Sequence, residues 1–310
     1  MNNHTILVTG ATGFVGQHLL ALLLAQGCAV TAVLQPATPA TLPAGVATAT
    51  ADVTDTAAMS AVMQAHQPDF IFHLAGLVRG QDTAALWRVN VQGTEAVLEA
   101  ASQLATPPRV VIPGSAAEYG LLVDDQPVTE MAQTRPLGPY GVSKVAQTLL
   151  ALGYAWRGQV PVVVGRVFNI TGPAEPAAML GGAMAAQIVA IERGEQEPIL
   201  RVGNLSPTRD YVDIRDMVQA LWLLGQQGQA GEIYNICSGQ AVQVAAVVEQ
   251  LVALGRVPIT IQPDPAHQRP SDIPHCVGDS TKLRAATGWQ PTLNLTTSLA
   301  DLLDWWRLNY

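Results

Sequence analysis

The sequence predicts an α/β fold, a doubly wound parallel sheet followed by a smaller C-terminal α/β lobe, on three observations. Short apolar runs rich in β-branched residues alternate with longer helical patterns through the first 170 residues, as strands covered on both faces by crossover helices require. A glycine-rich turn, Gly10-Ala11-Thr12-Gly13-Phe14-Val15-Gly16, stands directly between the first apolar run and the first helical pattern. Beyond residue 170 the elements shorten and prolines punctuate them, from Pro173 to Pro291, which marks a unit built on another plan.

The elements follow in order. Ile6-Leu7-Val8 reads as the first strand and residues 14–26 as the first helix. A second strand at 29–34, a third before Asp52, and a helix at 55–66 come next. Phe70-Ile71-Phe72-His73-Leu74 forms the fourth strand, and residues 82–104 one long helix. Val110-Val111-Ile112 and Val162-Val163-Val164 are strands flanking a helix at 140–156. Right-handed crossovers then place the ligand end at the strands' carboxyl termini. In the second unit, helices fall at 214–226, 244–254 and 299–308, with a strand at 233–236. The boundary divides residues 1–170, the doubly wound unit expected to hold whatever binds at its glycine turn, from residues 171–310, a lobe interleaved with the sheet.

Composition narrows the function classes. With 310 residues, 49% hydrophobic and 13% charged, the chain can bury a large core. A net charge of −8 argues against nucleic acid or an anionic membrane as a partner, since both need a basic surface. Cys28, Cys237 and Cys276 lack disulfide or zinc spacing, and the histidines show no paired ligand spacing, so no metal is expected. No basic segment precedes the first apolar run, and a cytoplasmic location is the expectation. Of 16 basic residues, only Lys144 and Lys282 are lysines.

The glycine turn carries the first chemistry. Its G-x-x-G-x-x-G spacing lets the backbone turn tightly and approach a pyrophosphate, whose charge meets free N–H groups and the positive end of the helix dipole. At the end of the second strand, where a carboxylate favours NAD and an arginine NADP, stands Gln35, so the choice between NAD(H) and NADP(H) stays open. Asp52 either accepts from an adenine amino group or caps the following helix. Tyr140 and Lys144, four apart at the start of a helix, share one face. An ammonium beside a phenol favours the phenolate and makes the tyrosine a usable proton donor. Ser115, just past a buried strand, supplies a hydroxyl at the ligand end of the sheet.

These motifs resemble the extended short-chain dehydrogenases/reductases that act on nucleotide sugars. The resemblance spans essentially the whole chain: the glycine turn, His73-Leu74-Ala75-Gly76, Asn90 in Val89-Asn90-Val91-Gln92-Gly93-Thr94, Ser115, Tyr140 and Lys144. It implies a Rossmann-type sheet. It also implies cofactor contacts from Gly10, Thr12, Gly13, Phe14, Val15 and Gly16, from Asp52 and Val53, from Leu74, Ala75 and Gly76, and from Asn90, Tyr140 and Lys144. Tyr140 would be the general acid/base, Lys144 would bind the nicotinamide ribose, and Ser115 would hydrogen-bond the substrate oxygen.

The second half is similar to the GDP-4-keto-6-deoxymannose reductases within that family, through stretches such as Arg166-Val167-Phe168-Asn169, Thr208-Arg209-Asp210-Tyr211 and Arg269-Pro270-Ser271-Asp272. By that resemblance Asn169, Arg209 and Arg269 would hold the diphosphate and its neighbours, and Asp272 the ribose hydroxyls. Arginine forks suit phosphate oxygens. Related 4,6-dehydratases carry an acid two residues after the catalytic hydroxyl; here that position is Ala117, and Glu118, in an extended segment, would face away.

The expected activity is NAD(P)H-dependent reduction of the 4-keto group of a nucleotide-activated 6-deoxy sugar, GDP-linked by preference. A nucleotide-sugar 4-epimerase, a GDP-mannose 4,6-dehydratase and a non-catalytic NAD(P)-binding regulator are the alternatives. His73 is expected to pack at its strand end. Leu86, Val97 and Leu98 with Leu149, Leu150 and Leu152 give apolar helix faces, and the family resemblance implies that such helices pair two copies through a four-helix bundle, making a homodimer.

Overall fold

The computed structural model describes residues 4–37, 39–78, 82–122, 124–267 and 273–310. Seven parallel strands build the central sheet: β1 (Thr5–Thr9), β2 (Ala29–Leu34), β3 (Ala47–Thr50), β4 (Phe70–His73), β5 (Arg109–Ser115), β6 (Val162–Val167) and, after β7 (Asn169–Thr171), β8 (Ile199–Val202), β9 (Thr208–Arg209) and β10 (Tyr211–Asp213), the strand β11 (Ile233–Ile236). Their order is β3-β2-β1-β4-β5-β6-β11. The winding therefore reverses between β1 and β4, and ligands of such sheets sit outside the carboxyl ends at that reversal.

The pleat of β1 explains the unbroken apolar runs. Ile6 and Val8 enter one core, which α1 (Phe14–Ala25) and α7 (Ile214–Gln227) cover, while Leu7 enters the other, under α2 (Thr56–His66), α4 (Gly93–Ser102) and α5 (Pro139–Trp156). All three side chains are fully buried, each worth about 1.5–3 kcal/mol relative to exposure. A third core lies between α6 (Leu180–Glu192), α8 (Val244–Ala253) and α10 (Leu295–Asn309), against β8 and β13 (Thr260–Pro263). Small pairings by β12 (Val242–Gln243) and β14 (His275–Cys276) on β9 tie this region together. The short α9 (Thr281–Thr287) packs on α7.

The structure departs from the expected elements at informative places. The expected helix over 82–104 is α3 (Thr83–Leu86), a π-helical stretch at Trp87–Gln92 and α4 run together. Its wider turn contains Asn90, and such turns commonly mark functional positions. Helix α6 was not expected, because its opening Leu180-Gly181-Gly182 hides it; a Cβ on Gly182 would lie 2.3 Å from the Pro176 carbonyl oxygen, so tight packing explains the glycine. Leu86, Val97, Leu98 and Leu152, expected at a subunit interface, are instead buried within the chain. The exposed apolar positions of α5 are Val142, Leu149 and Trp156. Among the described residues, no helix is long and apolar enough to cross a membrane.

Candidate active site

The loops after β1 and β4 frame a cleft of about 230 Å³, lined among others by Gly10, Thr12, Gln35, Asp52 and Gly76. Gly10 adopts a φ of +67°, and a Cβ there would stand 2.6 Å from the Ala75 nitrogen, so the two loops can approach only through a residue without a side chain. No side chain caps the first turn of α1, which leaves its N–H groups for an anion. This donor set and the bare backbone cradle fit the pyrophosphate of a dinucleotide. Asp52 does not cap α2; Asp55 does, accepting from Ala58 N at 3.0 Å. One Asp52 oxygen instead accepts from the Thr54 N–H and hydroxyl, 2.9 and 2.8 Å away. Those bonds hold its carboxyl below the usual range. Val53 and Leu77 line the same cleft, as does Arg88 from the π-helical turn, whose place sequence reasoning missed.

Ser115 ends β5 at the same edge of the sheet. The following residues form a 3-10 turn, Ala116–Glu118, in place of the expected extended segment. Ser115 Oγ accepts from Ala117 N at 3.2 Å. Glu118 folds back beneath it, accepting from Ser115 N at 2.8 Å and from Arg166 Nε at 2.8 Å. Its carboxylate is fully buried and engaged on both oxygens, so it is part of the support of Ser115.

Helix α5 brings the other two groups to this turn. Gly141 makes the approach possible: a Cβ there would lie 2.6 Å from the Ala117 carbonyl oxygen. Tyr140, half-buried, thereby stands next to the Ser115 turn. Lys144, one turn further, is 8% exposed. Its ammonium donates to Pro113 O at 2.6 Å and to Gln147 Oε1. Burial brings its pKa down to about 8, against the opposing pull of Glu118. Asn90, expected at the cofactor, is fully buried. Its amide bonds Leu77 N at 2.7 Å, Leu77 O at 3.0 Å and Ser143 Oγ at 3.1 Å, so its side chain pins the β4 loop to α5. His73 is a hydrogen-bonded member of the core, 2.8 Å from Thr9 Oγ1 and 3.1 Å from Thr94 Oγ1. Burial, with Lys144 nearby, drives its pKa down to about 3.

Asn169 opens β7 and donates to Asp210 O at 3.1 Å. Arg209, on β9, donates to Thr208 O at 2.9 Å. The carboxylates beside Arg209 in sequence have other work: Asp210 accepts from Ser238 and Gly239, and Asp213 from Arg215 and Ser298. Arg269 and Asp272 lie outside the described residues. Of the residues that surround His73 and Lys144, Thr94 enters the sequence reading only as the end of the Asn90 motif, and Thr9 and Gln147 not at all. For Gln147 the signal was present, since it falls three residues after Lys144 on the same helical face.

A protein-family model described as GDP-mannose 4,6 dehydratase matches residues 7–302. The chain is 30% identical to the GDP-6-deoxy-D-mannose reductase of Pseudomonas aeruginosa, over 97% of this chain and 96% of that protein. It is 29% identical to the dTDP-6-deoxy-L-talose 4-dehydrogenase (NAD(P)(+)) of Kitasatospora kifunensis, over 96% and 94%. The solved structure of RMD from Pseudomonas aeruginosa complexed with NADPH superposes with a TM-score of 0.85 at 28% identity, covering 99% of this chain and 100% of that one. With this sheet order, this glycine loop and a match over nearly its whole length, the chain belongs to the GDP-mannose 4,6-dehydratase family, NAD(P)-dependent enzymes of the short-chain dehydrogenase/reductase type that act on nucleotide sugars.

Proposed function

We propose that the protein reduces the 4-keto group of a nucleotide-activated 6-deoxy sugar, GDP-linked, with NADH or NADPH. The observation that carries this reading is the turn after β5. The turn that carries the Ser115 hydroxyl packs against the helix bearing Tyr140 and Lys144, the position used by the dehydratases for their acid is Ala117, and the neighbouring Glu118 is consumed by Ser115 N and Arg166. Dehydration needs a free acid there to move protons at C5 and C6; reduction does not. The 30% identity with a GDP-6-deoxy-D-mannose reductase points the same way.

Bound NAD(P)H supplies the hydride for C4. Tyr140 gives its hydroxyl proton to the keto oxygen as that oxygen gains charge, and the Lys144 ammonium stabilises the phenolate left behind. Ser115 Oγ already accepts from Ala117 N, so its own hydrogen is available to the same oxygen. Gly10 and the start of α1 would hold the pyrophosphate of the dinucleotide, and Asp52 and Val53, which line the same cleft, would take its adenine end. Asn169 and Arg209, with Arg269 and Asp272, take the diphosphate and ribose of the sugar nucleotide, so that residues 171–310 act as a substrate lobe laid over the domain of residues 1–170.

Two copies pair through α5, whose Val142, Leu149 and Trp156 recur every seven residues on the exposed face. Leu149→Glu should then convert a dimer into a monomer in analytical ultracentrifugation. A reducing cytoplasm suits the three buried free thiols.

The reductase reading is tested by following NAD(P)H oxidation against GDP-, dTDP- and UDP-4-keto-6-deoxy sugars. Turnover with the GDP compound that collapses in Tyr140→Phe is expected. Protein purified with stoichiometric, tightly held NAD and active without added NAD(P)H would make it an epimerase. Full activity of Tyr140→Phe would remove Tyr140 from the chemistry.

A further inference from the structure

Lys144 sits at the head of a buried chain of hydrogen bonds whose direction can be worked out completely. An ammonium only donates, so the Gln147 side chain must present Oε1 to it and Nε2 to Thr94 Oγ1, 2.7 Å away. Thr94 uses its own hydrogen on Asn90 O at 2.7 Å. It therefore accepts from both Gln147 and His73 Nε2. His73 must carry its proton on Nε2, which leaves Nδ1 to accept from Thr9 Oγ1. Thr9 in turn accepts from Ala75 N at 3.1 Å, in the loop that lines the cleft. Gln147 is 2% exposed and Thr94 fully buried, so no water competes for these bonds.

Such a chain holds and does not conduct. An amide stands in its middle and a backbone carbonyl ends it, so no proton can pass along it from solvent to Lys144. What it does is fix the ammonium: among the described residues, Pro113 O and Gln147 Oε1 take two of its three hydrogens, and the third has no acceptor there. A carboxylate in place of the amide would pair fully with Lys144. An apolar side chain would leave a buried N–H unsatisfied.

We propose that Gln147 is the positioning residue of the active site, aiming the free N–H of Lys144 at the cofactor ribose while leaving its charge uncompensated and available to Tyr140. This rests on the reading of Lys144 as the group that tunes Tyr140. The titratable groups near the ammonium are Glu118 from the turn after β5 and His73 from β4; the groups in direct contact, Pro113 O and the Gln147 amide, are both neutral.

The scarcity of lysine supplies the test. With Lys144 and Lys282 alone in the chain, protein labelled with 13C at lysine Cε gives two side-chain signals, assigned by Lys282→Arg. In the full-length protein the Lys144 signal should titrate near 8. Gln147→Glu, equal in shape, should raise that midpoint by about one unit or more, and Gln147→Leu should lower it. The Michaelis constant for NAD(P)H, measured with GDP-4-keto-6-deoxymannose, should rise in Gln147→Leu, whereas Gln147→Glu should lower turnover, because a carboxylate neutralises the ammonium offered to Tyr140 and cannot donate to Thr94. A Lys144 midpoint unmoved in Gln147→Glu overturns the proposal, and that variant decides alone if Gln147→Leu does not fold. A midpoint that moves as expected while Lys144→Met keeps full turnover would instead remove the catalytic role of Lys144 and leave the contact with Gln147 standing.

Discussion

Removal of the Glu118 carboxylate should be among the most damaging single changes that leave the reacting groups themselves intact. The side chain of Glu118 is fully buried and that of Arg166 is 5% exposed, with 2.8 Å between Oε2 and Nε. Glu118→Ala leaves the guanidinium charged, buried and without its anion, a loss of about 3–5 kcal/mol. It also strips the acceptor from Ser115 N. The Tyr119 ring, 4.8 Å from the guanidinium, compensates by no more than about 2 kcal/mol. Because these terms overlap, the expected net loss is about 4 kcal/mol, a fall of roughly 1–2 M in the urea midpoint followed by fluorescence or circular dichroism. The pairing itself is isolated by Glu118→Leu combined with Arg166→Met, which removes both charges and should cost less than Glu118→Ala alone. A Glu118→Ala midpoint within about 0.3 M of wild type, or a double variant as unstable as the sum of its singles, would refute the claim that a coupled ion pair supports Ser115.

Further expectations concern charge and backbone. Lys144→Arg should lower NAD(P)H-dependent turnover by about 10²–10⁴-fold, the usual weight of a tuned acid, because a planar fork cannot occupy the compact site between Pro113 O and Gln147. Lys282→Arg, in a half-exposed pair with Glu232, should change stability by under about 1 kcal/mol and leave turnover alone; equal effects would sink the assignment. Burial pushes the Glu175 carboxyl up to about 7, against hydrogen bonds from Thr171, Gly182, Gly181 and Gly172. A pKa raised on folding means that the proton binds the native state more tightly. Its stabilising contribution is thus complete below about 4.5 and is lost as pH climbs through 7. Urea midpoints measured between those limits should fall with rising pH in the wild type and flatten in Glu175→Gln. Gly10→Ala, which forces a Cβ to within 2.6 Å of Ala75 N at a positive φ, should raise the dissociation constant for NAD(P)H at least about tenfold in a fluorescence titration.

Much of the candidate site is legible in the sequence, for a definite reason. The glycines that begin at Gly10, and Tyr140 with Lys144, lie at intervals of three or four residues within one turn or one helix, so their spacing in the chain is their spacing in space. Asp52 shows where that logic ends: a cap and a ligand acceptor look alike in sequence, and only the structure, with Asp55 N-capping α2, removes the cap reading. Glu118 shows the same limit. An extended segment was a fair reading of Ser115-Ala116-Ala117-Glu118, but the chain turns there because Arg166, on a strand 48 residues later, draws the carboxylate inward. The expected interface leucines failed for a related reason: an apolar face on a helix signals burial, and the sheet of the same chain claimed Val97, Leu98 and Leu152.

The sequence by itself determined the order of the strands of the central sheet and of the helices that cover it, the glycine turn and the spacing of Tyr140 and Lys144, because hydrophobic periodicity and helical spacing are local properties of the chain. Only the tertiary structure decided how those groups are supported. Ser115 rests on Glu118 and Arg166, Lys144 on Gln147, and Gln147 on Thr94 and His73. Each of those hydrogen bonds joins groups brought together by the crossovers of the sheet, and a polar group buried in this way is held in place by the cost of leaving it without a partner.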